Sequence, residues 1–228
     1  MEDKHSIFER CFEKHDFNEL NNMDIHMLNN AFQIFLNSYK LNDHKPVIFD
    51  VGSNCGSFVK VVEMYKMTEN IHCFEPHPKL SDVCIEKYPY IKMNKLCLSN
   101  ENDNIDIHIP LWSTALSSII NRPVFDKLKN DGQEIITINV PSLTIDKYCE
   151  NNNIDMIDFI KIDVEGAEKM VFEGAVGMLG KKAIKCGIFE IGETLNDANT
   201  SETEICEMLE KFEYKIFKNI PGNYMFYM

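Results

Sequence analysis

What the 228-residue sequence lacks narrows its chemistry before any motif is considered. The eight cysteines (Cys11, Cys55, Cys73, Cys84, Cys97, Cys149, Cys186 and Cys206) are scattered and include no Cys-x-x-Cys pair, so free thiols in a reducing compartment are expected, not a disulfide framework. Neither they nor the seven histidines show zinc-ligand spacing, and no metal ligand set is assigned. Positive charge is scarce. With 23 Lys and Arg against 36 Asp and Glu, the formal net charge of -13 argues against binding nucleic acid mainly through phosphates. No apolar run approaches the roughly 18 residues that cross a bilayer, and the charged opening Met1-Glu2-Asp3-Lys4-His5 leads into no signal-peptide core. The expectation is a cytoplasmic chain without a membrane span. Repeats and low-complexity tracts are also missing.

What is present suffices for one large domain or a domain with an appendage, since 44% of residues are hydrophobic. From Met23 to Tyr39 the apolar residues Ile25, Leu28, Phe32, Phe35, Leu36 and Tyr39 recur at helical steps, and a shorter helix is expected around Ile7 to Phe17. Residues 1–45 therefore read as an N-terminal helical cover on a main domain of residues 46–228, the two separated by the turn residues 42–46. Within the main domain, strands are expected at Val47–Val51, Ile71–Phe74 and Ile91–Leu98, with helices at Gly56–Tyr65 and Leu80–Lys87 between them. This alternation implies a doubly wound, mostly parallel sheet covered on both faces. An irregular insertion at about residues 100–141 carries strands at Ile105–Ile109 and Ile135–Val140. Alternation then resumes with a strand at Phe159–Ile162, a helix at Ala167–Leu179 and a strand at Cys186–Phe189. A helix at Glu204–Phe212 and an antiparallel terminal hairpin, Tyr214–Phe217 with Tyr224–Tyr227, complete the domain.

The strand Val47–Val51 empties into Asp50-Val51-Gly52-Ser53-Asn54-Cys55-Gly56, an acid followed by a turn stripped of side chains at both ends. Gly52 permits a sharp turn, and Gly56 lets the next helix approach. A dinucleotide fingerprint needs a middle glycine so that a pyrophosphate can reach the helix N-terminus, and that glycine is missing. A cofactor without phosphates does not need it. S-adenosylmethionine fits, its amino acid part held by Asp50 and by the amides of the turn, Gly52, Ser53, Asn54 and Gly56, with the acidic strand end tolerating a sulfonium. The next strand ends in Glu75-Pro76-His77-Pro78, where the acid stands at the spacing that serves ribose hydroxyls. His77 is placed either over the adenosine or as a base. NAD would use the same acid, which keeps a nicotinamide-dependent oxidoreductase as one alternative; a non-catalytic Rossmann-like binding domain is another.

Acids also emerge at two later strand ends. Asp163 and Glu165 follow Ile162, and Glu190 follows Phe189, so all three are candidate catalytic proton acceptors on the ligand rim; Asp163 is also expected beside the cofactor. The competing reading gives Asp163 and Glu168 to the cap and dipole of the following helix. Three such carboxylates offer oxygen ligands that suit Mg²⁺, although no spacing requires a metal. Trp112, Ser117 and Ser118 are expected to line the acceptor pocket.

The ordered set Asp50–Gly56, Phe74-Glu75-Pro76-His77-Pro78, Leu143-Thr144-Ile145-Asp146, Phe159–Glu168 and Phe172-Glu173-Gly174-Ala175 resembles the successive motifs of the FkbM-type methyltransferases, over roughly Val47 to Glu190. Ser53 stands where alanine is more usual, and Cys55 occupies a variable apolar position. The resemblance implies a class I Rossmann-like fold and S-adenosylmethionine-dependent methyl transfer, usually O-methylation of a hydroxyl on a sugar, glycan or other small metabolite.

Overall fold

The computed structural model describes residues 22–38, 45–67, 69–220 and 222–228. The helix expected around Ile7 to Phe17 lies outside the described residues. In chain order the elements are α1 (Asn22–Ser38), β1 (Ile48–Val51), α2 (Ser57–Met64), β2 (Ile71–Phe74), α3 (Pro78–Lys87), β3 (Lys92–Asn94), β4 (Cys97–Leu98) and β5 (Asn104–Pro110). A 3₁₀ turn at Thr114–Leu116 precedes α4 (Pro123–Asn130), β6 (Ile135–Leu143), α5 (Ile145–Asn152), β7 (Ile157–Ile162), α6 (Glu168–Glu173) and α7 (Val176–Gly180). The chain then forms β8 (Ile184–Glu190), α8 (Glu193–Asp197), α9 (Glu202–Lys211), β9 (Lys215–Ile220) and β10 (Asn223–Tyr227).

Seven strands form the central sheet in the order β3-β2-β1-β7-β8-β10-β9. Pairing is parallel from β3 to β8, and β10 runs antiparallel to both β8 and β9. The central strands are buried along their whole length, as a sheet covered on both faces requires. Ile160 and Ile162 pack on one face with Phe49, Phe172 and Phe189, while Phe159 packs on the other with Ile48, Phe58 and Phe32. Strand alternation produces this division. It also sets Asp50 opposite Lys161 in the β1–β7 register.

α1 seals the second face: the Phe32 ring meets those of Phe58 and Phe159 edge-on at 5.7 and 5.3 Å. No helix among the described residues is long and apolar enough to cross a membrane.

Three expected elements take a different form. The strand expected at Ile91–Leu98 is not one strand: β3 joins the central sheet, while β4 turns away to pair with β6. The insertion is a three-stranded sheet of order β4-β6-β5, with its own small core of Cys97, Ile107, Ile109 and Val140. The helix expected at Ala167–Leu179 divides into α6 and α7 around Gly174, where a Cβ would collide with the Ser99 carbonyl oxygen.

Candidate active site

β1 connects outward to β2, and β7 connects outward to β8 on the other side, so the chain diverges where these two strands end. Open α/β sheets form ligand crevices at such a divergence. A cleft of about 1070 Å³ occupies this rim, passing from Glu75 and Leu96 over Gly52 and Asp163 to Glu190 and Asn223.

At the β1–β2 end the backbone is held by its glycines. Gly52 has φ +72°, and a Cβ there would overlap the Asp163 carbonyl oxygen, so this glycine lets the β1 turn lie against the exit of β7. Gly56, at φ +89°, leaves no room for a Cβ either, because the Tyr88 ring would be 2.6 Å away. The turn is then tied to β2. The Asn54 and His77 amides donate to the two Glu75 carboxylate oxygens at 2.8 and 2.9 Å. Burial nevertheless pushes the Glu75 carboxyl up to about 7 against those two amides.

Each Glu75 oxygen keeps a further lone pair. Hydroxyl donors arriving from the cleft would favour the charged carboxylate. Ser53, also buried and also lining the cleft, has an Oγ with no hydrogen-bond partner among the described residues. These two groups, with Pro76 and the Asn54 turn beside them, fit the ribose and amino acid parts of an adenosyl ligand. Asp50, Gly56 and His77, all expected at the cofactor, do not line the cleft. His77 caps α3, its Nδ1 accepting from the Leu80 amide at 3.4 Å, and Asp50 is fully buried.

Between the two ends of the rim stands Lys161, which is buried. Its Nζ lies 3.5 Å from Asp50 and 3.2 Å from Asp163, and it donates to the Gly52 carbonyl at 2.6 Å. Burial opposes the lysine's charge, but the carboxylates of Asp163 and Asp50 outweigh it and raise its pKa above the usual lysine value. Burial lifts the Asp50 carboxyl, with Lys161 opposing. One ammonium therefore fixes the strand pair, the glycine turn and the first rim acid together.

The carboxylates of Asp163, Glu165 and Glu190 come within 4.8 Å of one another, a spacing that one cation would span. They do not share one environment. Asp163 is paired with Lys161 and 43% exposed at its side chain. Glu165 is claimed by Arg122 at 3.1 Å, and Arg122 also holds Asp197 at 2.9 Å. Glu190 has a buried Oε2 with no hydrogen-bond partner among the described residues, and burial followed by the charge of Asp163 pushes its carboxyl up to about 9. Glu168 serves its own turn, accepting from the Val164 and Gly166 amides at 3.0 and 3.1 Å.

Of the expected acceptor residues, Ser117 and Ser118 line the cleft, and the Ser118 hydroxyl donates to the Glu165 carbonyl at 2.8 Å. Trp112 does not line it and is 40% exposed. Sequence reading missed Arg122, which ties the insertion to the strand-end turn. A signal for it existed: of the basic residues only two are arginine, Arg10 and Arg122, and a buried pairing with two carboxylates favours the forked guanidinium over lysine. The walls formed by α1 and the β9–β10 hairpin were also missed.

Comparison with known proteins follows the same lines. Residues 50–216 match the methyltransferase FkbM domain. The 2-O-methyltransferase NoeI of Sinorhizobium fredii is 30% identical over 151 residues, which cover 60% of this chain and 60% of that protein. The chain thus spans less than two thirds of the curated relative it matches. Among solved structures, an O-methyltransferase from Bacillus cereus in complex with SAH has a TM-score of 0.42 at 13% identity, covering 99% of this chain and 90% of its own. A SAM-dependent methyltransferase from Aquifex aeolicus has a TM-score of 0.43 at 12% identity over 100% and 98%. At these scores neither likeness bears on function.

Proposed function

The chain belongs to the FkbM methyltransferase-domain family, and from that premise we propose that it moves a methyl group from S-adenosylmethionine to a hydroxyl oxygen of a sugar or other small metabolite in the cytoplasm. The observation that supports this best is the division of one cleft between a buried carboxylate with spare acceptor capacity, Glu75, and a second group of acids at the ends of β7 and β8. The nicotinamide alternative is not favoured by the family match, and the turn lacks the middle glycine that a pyrophosphate needs.

Glu75, Pro76, Ser53 and Asn54 would hold the cofactor, which supplies an electrophilic methyl group on a sulfonium. Asp50 and His77 act from behind, by fixing the turn and the start of α3. On the acceptor side, Ser117 and Ser118 would orient a hydroxyl near the β7 exit, and alignment of this kind is a large contributor to displacement reactions. Glu190 Oε2 is the atom we assign to receive the hydroxyl proton. Burial and the charge of Asp163 keep that carboxyl protonated at neutral pH, so it serves as the base only once the sulfonium's positive charge beside it favours the ionised form. Asp163 holds Lys161 and borders the same space, while Glu165 secures the insertion through Arg122. Mg²⁺ is no part of this reading. We propose α1 as a cover on a catalytic domain of residues 46–228.

Titration calorimetry with S-adenosylhomocysteine tests the proposal, and folded protein that shows no saturable heat would reject it. In the same assay Glu75→Ala is expected to weaken binding by about 1.5–3 kcal/mol, the range for hydrogen bonds to a charged group. Unaltered affinity would remove Glu75 from the cofactor site.

A further inference from the structure

The cleft is at the top of the size range of ligand pockets. Such pockets run from roughly 300 to 1,000 Å³; this one measures about 1070 Å³ and extends well beyond the turn and β2. The strand order assigns its two halves. Glu75 and the glycine turn sit over β2 and β1, so the half over β8 and β10 remains for the acceptor.

That second half changes character abruptly. At its inner edge Asn223 stands directly opposite Glu190 in the β8–β10 register. Beyond them the wall is largely apolar: Met27, Leu28 and Ile34 from α1, with one polar residue, Asn30, among them, and Phe217 and Ile220 from the hairpin. Met27 and Ile34 are seven positions apart and so share one stripe of the helix, next to the stripe that carries Phe32 and Phe35 into the core. Ile34 is 39% exposed and Phe217 is 37% exposed, although both line the cleft. Large apolar side chains left open within a ligand cleft indicate an apolar ligand surface.

Charge narrows the class further. Lys161 is the sole cationic residue lining the cleft among the described residues, and it is committed to Asp50 and Asp163. A phosphorylated or carboxylated acceptor would meet acids and no available cation. Resting on the methyl-transfer reading above, we propose that the acceptor is amphipathic, with an uncharged hydroxylated head against Glu190 and Asn223 and an alkyl or acyl chain along Met27, Leu28, Ile34, Phe217 and Ile220.

Calorimetry on protein saturated with S-adenosylhomocysteine, titrated below micelle-forming concentrations with methyl, hexyl and octyl β-glucosides, tests this without requiring turnover. Affinity is expected to rise with chain length, about tenfold for each pair of methylenes that becomes buried. Ile34→Asp and Phe217→Asp, at partly exposed positions, are expected to weaken octyl glucoside binding by at least tenfold while the titration with S-adenosylhomocysteine continues to report a folded site. Affinities that ignore chain length, or Asp variants that bind octyl glucoside like the parent, would overturn the proposal and leave methyl transfer intact. Failure of S-adenosylhomocysteine itself to bind would overturn both.

Discussion

Lys161→Met is expected to lower unfolding stability by about 3–5 kcal/mol at neutral pH, the range for breaking a buried ion pair and leaving one partner uncompensated. The substitution nearly preserves side-chain length, so the effect isolates charge. Asp50 is fully buried, and without the ammonium 3.5 Å away its carboxylate has no compensating charge among the described residues. The Gly52 carbonyl loses its 2.6 Å donor in the same step. The sign of the pH dependence follows from Asp50, whose carboxyl already lies above its usual range because of burial and would rise further without Lys161. A carboxyl with a raised folded-state pKa is least unfavourable to folding when protonated, so the deficit should shrink as pH falls through that value. Urea unfolding of parent and variant across the acidic to neutral range reads both effects. Equal midpoints at neutral pH would show that the lysine is dispensable.

Gly52→Ala is expected to remove S-adenosylhomocysteine binding altogether and to lower stability by roughly 2–5 kcal/mol, the sum of a left-handed backbone penalty and an overpacking term. Both terms have a visible source. The residue has φ +72°, and the atom that a Cβ would strike is a backbone carbonyl oxygen, that of Asp163, which cannot rotate away as a side chain does. The only relief is to part the β1 turn from the β7 exit, which displaces Ser53 and Asn54 from Glu75 and Asp163 from Lys161. Gly222→Ala supplies the comparison: φ is +68° there, yet nothing lies within 4 Å of the added atom, so only the backbone penalty of about 1–2 kcal/mol should appear. Scanning calorimetry and ligand titration on the two variants separate strain from collision. A Gly52 variant that binds normally would mean that the turn has slack.

How much of this was legible in the sequence depended on distance along the chain. The strand β2 was read to the residue, and β1 and β7 to within two residues, because short apolar runs bounded by turn residues carry their own signal. The single strand expected at Ile91–Leu98 overlooks a break in alternation at the polar pair Asn94-Lys95, where β3 ends; the partner that draws β4 away, β6, lies more than forty residues further on. α5 was overlooked, although Thr144 accepts from the Lys147 amide at 3.1 Å as an N-cap and Asn153 ends the helix in a left-handed conformation. The strand-end acids were readable because strand ends are where such folds bind ligands. Their division of labour was not. Arg122 reaches Glu165 across 43 residues and so withdraws one carboxylate from the group, a fact with no local trace. The apolar wall has the same origin, with Met27 and Asn223 in contact across 196 residues.

The central position of β1 also has a consequence for the order in which the chain is made. Ile48 pairs on one side with Ile71, soon after it emerges, but its other neighbour is Phe159, which the ribosome delivers only after the whole insertion. Until then β1 presents an unpaired apolar edge, and pairings between distant segments form slowly. A nascent chain halted before Ile157 therefore exposes the strand that later lies at the heart of the sheet, which makes prematurely terminated translation products of this protein natural clients for chaperones.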